Sequence, residues 1–248
     1  MDLSGTVVIP GQVIPPVDDA KIIPGAGVVQ SDERTLIATV AGTLSLLASK
    51  AKTPNGQKVM TASVETNQKR YTPAVHDQVL GVITSKHGEH YRVDIGASRE
   101  AHLPVLSFQG ATKRNRPNLS VGTLVYGQVC SANADMKPEL TCISSHFKKE
   151  WMTGESLFGE LKGGYMFSCS TQLVRDLLDE RCVVLGALGA SVPFEVAVGA
   201  NGRVWVRADT PVHTILASNC IANSEHLSDD MTKVMVRELL ALTDSRSH

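Results

Sequence analysis

Aromatic side chains are scarce in this chain: two Trp, four Tyr and five Phe among 248 residues. That excludes cores built on stacked rings. Val, Leu, Ala and Gly must do the packing, which suits several small β-rich units closed by branched aliphatic side chains. An excess of one charge is missing as well. Lys and Arg number 24 against 25 Asp and Glu, for a net charge of −1, so bulk electrostatics cannot hold a polyanion and any nucleic-acid contact has to be local. Cysteine is sparse and unpatterned. Cys130, Cys142, Cys169, Cys182 and Cys220 show no CxxC spacing, which signals neither a disulfide framework nor a zinc site and reads them as small core residues of a reducing compartment. No run of about 18 apolar residues is present to cross a bilayer as a helix, and Met1–Pro10 lacks a basic start and long apolar stretch. The expected location is the nucleus, the cytosol or both.

Reaction motifs are also missing. The eight histidines form no HExxH pair, and neither Gly-x-Ser-x-Gly nor a P-loop occurs. Asp229-Asp230 is the nearest acidic pair, and the first turn of a helix explains it. His102 and His146 are lone histidines in β-rich sequence and read as structural. The chain is expected to be no enzyme, with no catalytic residue, metal or cofactor.

Against this neutral background the run Gly110-Ala-Thr-Lys-Arg-Asn-Arg-Pro117 concentrates three cations between two strand-like segments. Lys113, Arg114 and Arg116 cannot all be buried, so the loop meets solvent or an anion. Its setting is a five-strand pattern. Val79–Ile83 is apolar; His90, Arg92 and Asp94 then alternate with Tyr91, Val93 and Ile95, the period of a half-buried strand. Leu103–Phe108, Val121–Ser131 and Leu140–Ser144 supply the remaining three. Five strands in about 75 residues, with the longest loop between the third and fourth, match an oligonucleotide-binding (OB) barrel.

The flanks differ from this centre. Before it, Pro10-Gly11, Pro24-Gly25, Gly42 and Pro54-Asn55-Gly56 punctuate short β-branched runs at Thr35–Ala41, Leu44–Ala48 and Lys58–Glu65. After it, Gln172–Leu178, Pro211–Asn219 and Asp229–Leu242 carry helical signals, with Ser170 or Thr171 capping the first. Val192–Val198 and Arg203–Arg207 alternate as strands around Gly199-Ala200-Asn201-Gly202. Trp205 reads as core. The expected class is mainly β with an α+β C-terminal domain, divided at residues 1–68, 69–148 and 149–248.

Lys69-Arg70-Tyr71-Thr72-Pro73, the strand at Val79-Leu80-Gly81-Val82, Val93-Asp94-Ile95-Gly96, the cationic loop and Val125-Tyr126-Gly127-Gln128-Val129 resemble an S1 domain. Together with Gly199-Ala200-Asn201-Gly202-Arg203-Val204-Trp205-Val206, they are similar to the S1/KH cap subunits of the eukaryotic RNA exosome. The string Ala-Thr-Lys-Arg-Asn-Arg-Pro favours the ribosomal-RNA-processing "forty" type over its sister. The resemblance implies an N-terminal β domain, an S1 (OB-fold) barrel and a KH domain. It also implies a subunit without nuclease chemistry that bridges RNase-PH-like ring subunits and helps single-stranded RNA enter. Its place is then the nucleus, nucleolus included, and the cytoplasm. The sister subunit and a translation-related S1-type protein are the alternatives.

Two departures bear on mechanism. Many S1 domains place an aromatic and a histidine where this chain has Arg92 and Pro104, which weakens base stacking. Ordinary KH domains join two helices through Gly-x-x-Gly and clamp a phosphate backbone, whereas Gly199, Asn201 and Gly202 sit between strands and read as a hairpin turn packed inside the protein. Lys113, Arg114, Arg116, Arg92 and His90 are the candidate RNA-binding or interface residues. Arg serves phosphate and carboxylate alike, so RNA and a ring neighbour both remain open as the partner.

Overall fold

The computed structural model describes residues 5–16, 20–25, 27–32, 35–52, 58–66, 70–133, 135–144, 149, 151, 156–179 and 182–244. The expected turn at Pro54-Asn55-Gly56, together with Lys69 and His146, lies outside them. The chain forms two compact units, Met1–Asn67 and Gln68–His248. In the first, β1 (Val7–Val8), β6 (Gly42–Lys52), β7 (Lys58–Glu65) and β3 (Ala20–Pro24) make one sheet, and β2 (Val13–Ile14), β5 (Thr35–Ala38) and β4 (Val28–Asp32) a second. Val8, Ile14, Leu36, Leu44 and Val64 are buried together, as alternating apolar positions require. Gly42, expected in a turn, instead opens β6 opposite Val8. A Cβ there would strike the Glu65 carbonyl, so close backbone approach is what selects glycine.

The second unit begins with a closed barrel of β8 (Gln78–His87), β9 (His90–Asp94), β10 (Ala101–Pro104), β11 (Leu124–Ser131) and β12 (Glu139–Thr141). Strand order is β12-β10-β9-β8-β11, and β12 pairs again with β11 to close the ring. This is the arrangement of an OB fold. Tyr91, Val93, Leu103, Val129 and Leu140 fill the interior. Most of their outward neighbours, among them His90, Arg92, His102, Gln128 and Thr141, are polar, as period-2 alternation dictates. The third strand is shorter than expected. After Pro104 the chain turns, with Ser107 N donating to Pro104 O at 3.0 Å. Val105 and Phe108 are buried three residues apart while Leu106 is exposed, a spacing that no strand satisfies. A sixth strand, β13 (Gly159–Leu161), pairs with Leu124–Tyr126, the part of β11 that β12 leaves uncovered.

A three-stranded KH sheet follows, ordered β14 (Tyr165–Ser168), β16 (Arg203–Ala208), β15 (Phe194–Gly199). Helices α1 (Thr171–Leu178), α2 (Val183–Gly189), α3 (Pro211–Ser224) and α4 (Asp229–Asp244) complete it. Ser170 caps α1, its side chain accepting from Leu173 N at 3.0 Å. Thr210 caps α3 at His213 N, with Pro211 in the first turn. Leu173, Val174, Leu177 and Leu188 pack with Val204, Val206 and Ile221. The opposite face of β16 turns Trp205 into the barrel's core cluster. Of the cysteines, Cys142 and Cys220 are buried, Cys169 and Cys182 are half-buried, and Cys130 is exposed. The core reading thus fails at Cys130, because inward-facing Val129 forces its β11 neighbour outward.

Candidate nucleic-acid interface

The cationic loop is built as a tight turn. Thr112 N donates to Asn115 O at 2.8 Å, and Asn115 N donates back to Thr112 O and Thr112 Oγ1, both at 3.1 Å. These mutual bonds place Lys113 and Arg114 at the tip. The loop's far end is fixed from inside the barrel, where the buried Tyr91 hydroxyl donates to Pro117 O at 2.8 Å and accepts from Leu119 N at 3.2 Å. Lys113, Arg114 and Arg116 are exposed, and none of them has a hydrogen bond or ion pair among the described residues. An anion has three unengaged cations to meet. Lys86 adds a fourth beside them, its Nζ 2.6 Å from Asn118 Oδ1 and 5.5 Å from the centre of the Tyr91 ring. Sequence reading missed Lys86. The signal was the i, i+2 alternation of β8, which sends Thr84 and Lys86 outward.

Arg92 and His90 occupy the outer face of β9, opposite His102 and Pro104 of β10. The His90 and His102 rings meet edge-on at 6.0 Å. Burial, and then the positive neighbours Lys137, His90 and Arg92, hold the His102 imidazole below its usual pKa. No Phe, Tyr or Trp faces outward from β9 or β10. This face thus offers charge, hydrogen-bonding groups and two imidazoles, and no larger aromatic ring. No hydrogen bond or ion pair among the described residues joins Arg92 or His90 to the loop cations.

Gly199, Asn201 and Gly202 lie elsewhere, Gly199 ending β15 and the other two in the turn into β16. Gly202 N donates to Gly199 O at 3.0 Å, and Gly202 adopts φ +76°, a left-handed conformation that favours glycine. All three residues are buried. Asn201 Nδ2 donates to Leu80 O at 2.7 Å and Ile95 O at 2.8 Å, while its Oδ1 accepts from Leu80 N at 3.2 Å. The neighbouring Ala200 N donates to Gln78 O at 2.7 Å. The turn is thus a clasp onto the barrel. Arg203 strengthens it, with Nη1 2.7 Å from Asp94 O and Nη2 2.7 Å from Asp94 Oδ2. The Tyr126 hydroxyl adds a bond to Val198 O at 3.2 Å.

The family model for the S1 domain of exosome complex component RRP40 matches residues 71–154, and a KH-domain model matches residues 164–212. A Dictyostelium discoideum protein named exosome complex component rrp40 is 42% identical over 98% of this chain and 96% of its own length. The Drosophila melanogaster exosome complex component RRP40 is 38% identical over 91% of each chain. A crystal structure described as an exosome complex RNA-binding protein shares the fold. It superposes with a TM-score of 0.57 at 21% identity, covering 71% of this chain and 99% of the other. The identities decide between the sister types and leave no place for a translation-related S1 protein: the chain belongs to the RRP40 family of exosome complex components.

Proposed function

We propose that this chain is a non-catalytic, RNA-binding cap subunit of the exosome, acting mainly as a rigid adaptor and touching RNA through one loop. It bridges RNase-PH-like ring subunits and helps guide single-stranded RNA into the complex for 3′–5′ processing and decay, in the nucleus and nucleolus and in the cytoplasm. The observation that carries this reading is the buried clasp. The KH element that could have held a phosphate backbone instead bonds Leu80 and Ile95 of the barrel through Asn201, so it is unavailable to RNA. What stays free is the turn bearing Lys113, Arg114 and Arg116. Three phosphates met by those cations give a log–log salt slope of about −2 for single-stranded RNA, hence weak binding by the isolated chain.

The test is the triple reversal Lys113→Glu, Arg114→Glu and Arg116→Glu, assembled with the ring subunits that copurify with the chain. The expected result is an intact assembly that protects RNA less well and whose binding falls less steeply with salt. Loss of assembly would make the loop a protein interface. Unchanged assembly and unchanged protection would remove the loop from the RNA path.

A further inference from the structure

A cleft of about 600 Å³ lies between the barrel and the KH sheet, within the size range of small-molecule sites. Both tryptophans of this ring-poor chain, Trp151 and Trp205, line it. So do Phe108 and Pro117, the residues that bracket the cationic loop. Among the described residues, two buried side-chain polar atoms have no hydrogen-bond partner, Trp151 Nε1 and Gln109 Oε1. The two residues adjoin, Trp151 N donating to Gln109 O at 3.0 Å, and of the two Trp151 lines the cleft. An unmet donor in a buried place is costly, and a ligand acceptor that reaches the Trp151 Nε1–H relieves it.

The charge layout narrows the ligand. At the cleft, Lys162 pairs with Glu160 at 3.8 Å and Arg207 with Glu195 at 4.0 Å, which leaves the mouth neutral and unsuited to phosphate. The unengaged cations are one step outside, on the loop. An aromatic, neutral recess lined by a tryptophan with an unmet donor, beside a cationic turn, has the layout of a nucleotide with its base inside and its phosphate out. Indole faces stack on any base.

We propose that this cleft receives one unstacked nucleobase of single-stranded RNA, with Trp151 as its stacking platform, while the adjoining phosphates lie on the Lys113–Arg116 loop. The inference rests on the RNA-contact reading above and adds a base site to it. The test uses the full chain at low salt with three probes: oligouridine, oligoadenosine and a base-free ribose-phosphate chain, each of about twelve units. Both tryptophans line the cleft, so quenching of indole emission reports on its occupancy. Saturable quenching is expected from the two base-bearing oligomers and not from the base-free chain. Trp151→Ala should weaken oligomer binding about tenfold, while Trp151→Phe, which keeps a ring, retains most of the affinity.

The base-free comparison is made on the unaltered chain, so it decides the matter even if Trp151→Ala misfolds. Equal quenching by all three probes would overturn the base site. If Trp151→Ala binds normally while the loop reversal weakens binding, the cleft inference fails and the loop reading stands. If neither change matters, both fail. Photocrosslinking that captures a polypeptide in the cleft of the assembled complex, with no RNA, would also overturn it.

Discussion

Asp94 sits at the mouth of the clasp with its side chain about half exposed, while Arg203, its partner, is largely buried. Burial alone would raise the Asp94 pKa, but the Arg203 hydrogen bond, the Gly96 N–H and the Arg203 charge outweigh it and hold the carboxyl below its ordinary 3.8. A carboxyl depressed in the folded state contributes stability that is fully present above the unfolded value and is lost as pH falls through the folded one. Asp94→Asn keeps the shape and removes the charge. It should therefore be less stable than the parent near neutrality, and the gap should close as pH falls below the ordinary carboxylate value and through the depressed folded one. Urea melts at a series of pH values check this, and a gap that stays constant through that window would show that the Asp94 charge plays no part.

The β15–β16 hairpin fills a gap in the barrel. Pairing of β8 with β9 stops at Val82 and Asp94, and the Leu80 amide and carbonyl and the Ile95 carbonyl beyond that point face the hairpin. The Asn201 carboxamide, with two donors and an acceptor, satisfies all three. A Cβ on Gly199 would land on Asn201 Oδ1, so Gly199 is glycine to leave room for that side chain. Asn201→Ala strands three buried backbone groups and should cost about 3 kcal/mol of stability. Gly199→Ala displaces the same side chain, so the double variant should be little worse than the worse single change. Additive losses in denaturation would mean that the two residues act independently. Asn-Gly chemistry made this hairpin legible in the sequence, and alternation did the same for β9, where His90 and Arg92 face out as expected. Helix α2 was not legible. Val183-Val-Leu-Gly-Ala-Leu-Gly189 carries two glycines and two β-branched residues, poor helix formers, and its helix exists because Val184 and Leu188 are buried in the KH core. The cleft was equally hidden, because it joins Phe108, Trp151 and Trp205 across the barrel–KH junction, and no local spacing signals such a meeting.

At the scale of the molecule, barrel and KH sheet share one interior. Ala197 and Trp205 of the KH sheet belong to the same buried cluster as Tyr91 and Leu103, and Phe158, just before β13, brings its ring to 5.4 Å from Tyr126. Three residues then separate β13 of the barrel from β14 of the KH sheet, with Trp205 Nε1 donating to Gly163 O at 2.9 Å across that crossing. A chain so tied cannot open one part without exposing the core of the other. Native-state hydrogen exchange in the full chain should give the most protected amides of β8–β11 and of β15–β16 a common opening free energy. Asn201→Ala should lower both together. Distinct opening energies for the two sets, or a loss confined to one of them, would mean that the clasp joins two independent domains, and a rigid adaptor could not be built on it.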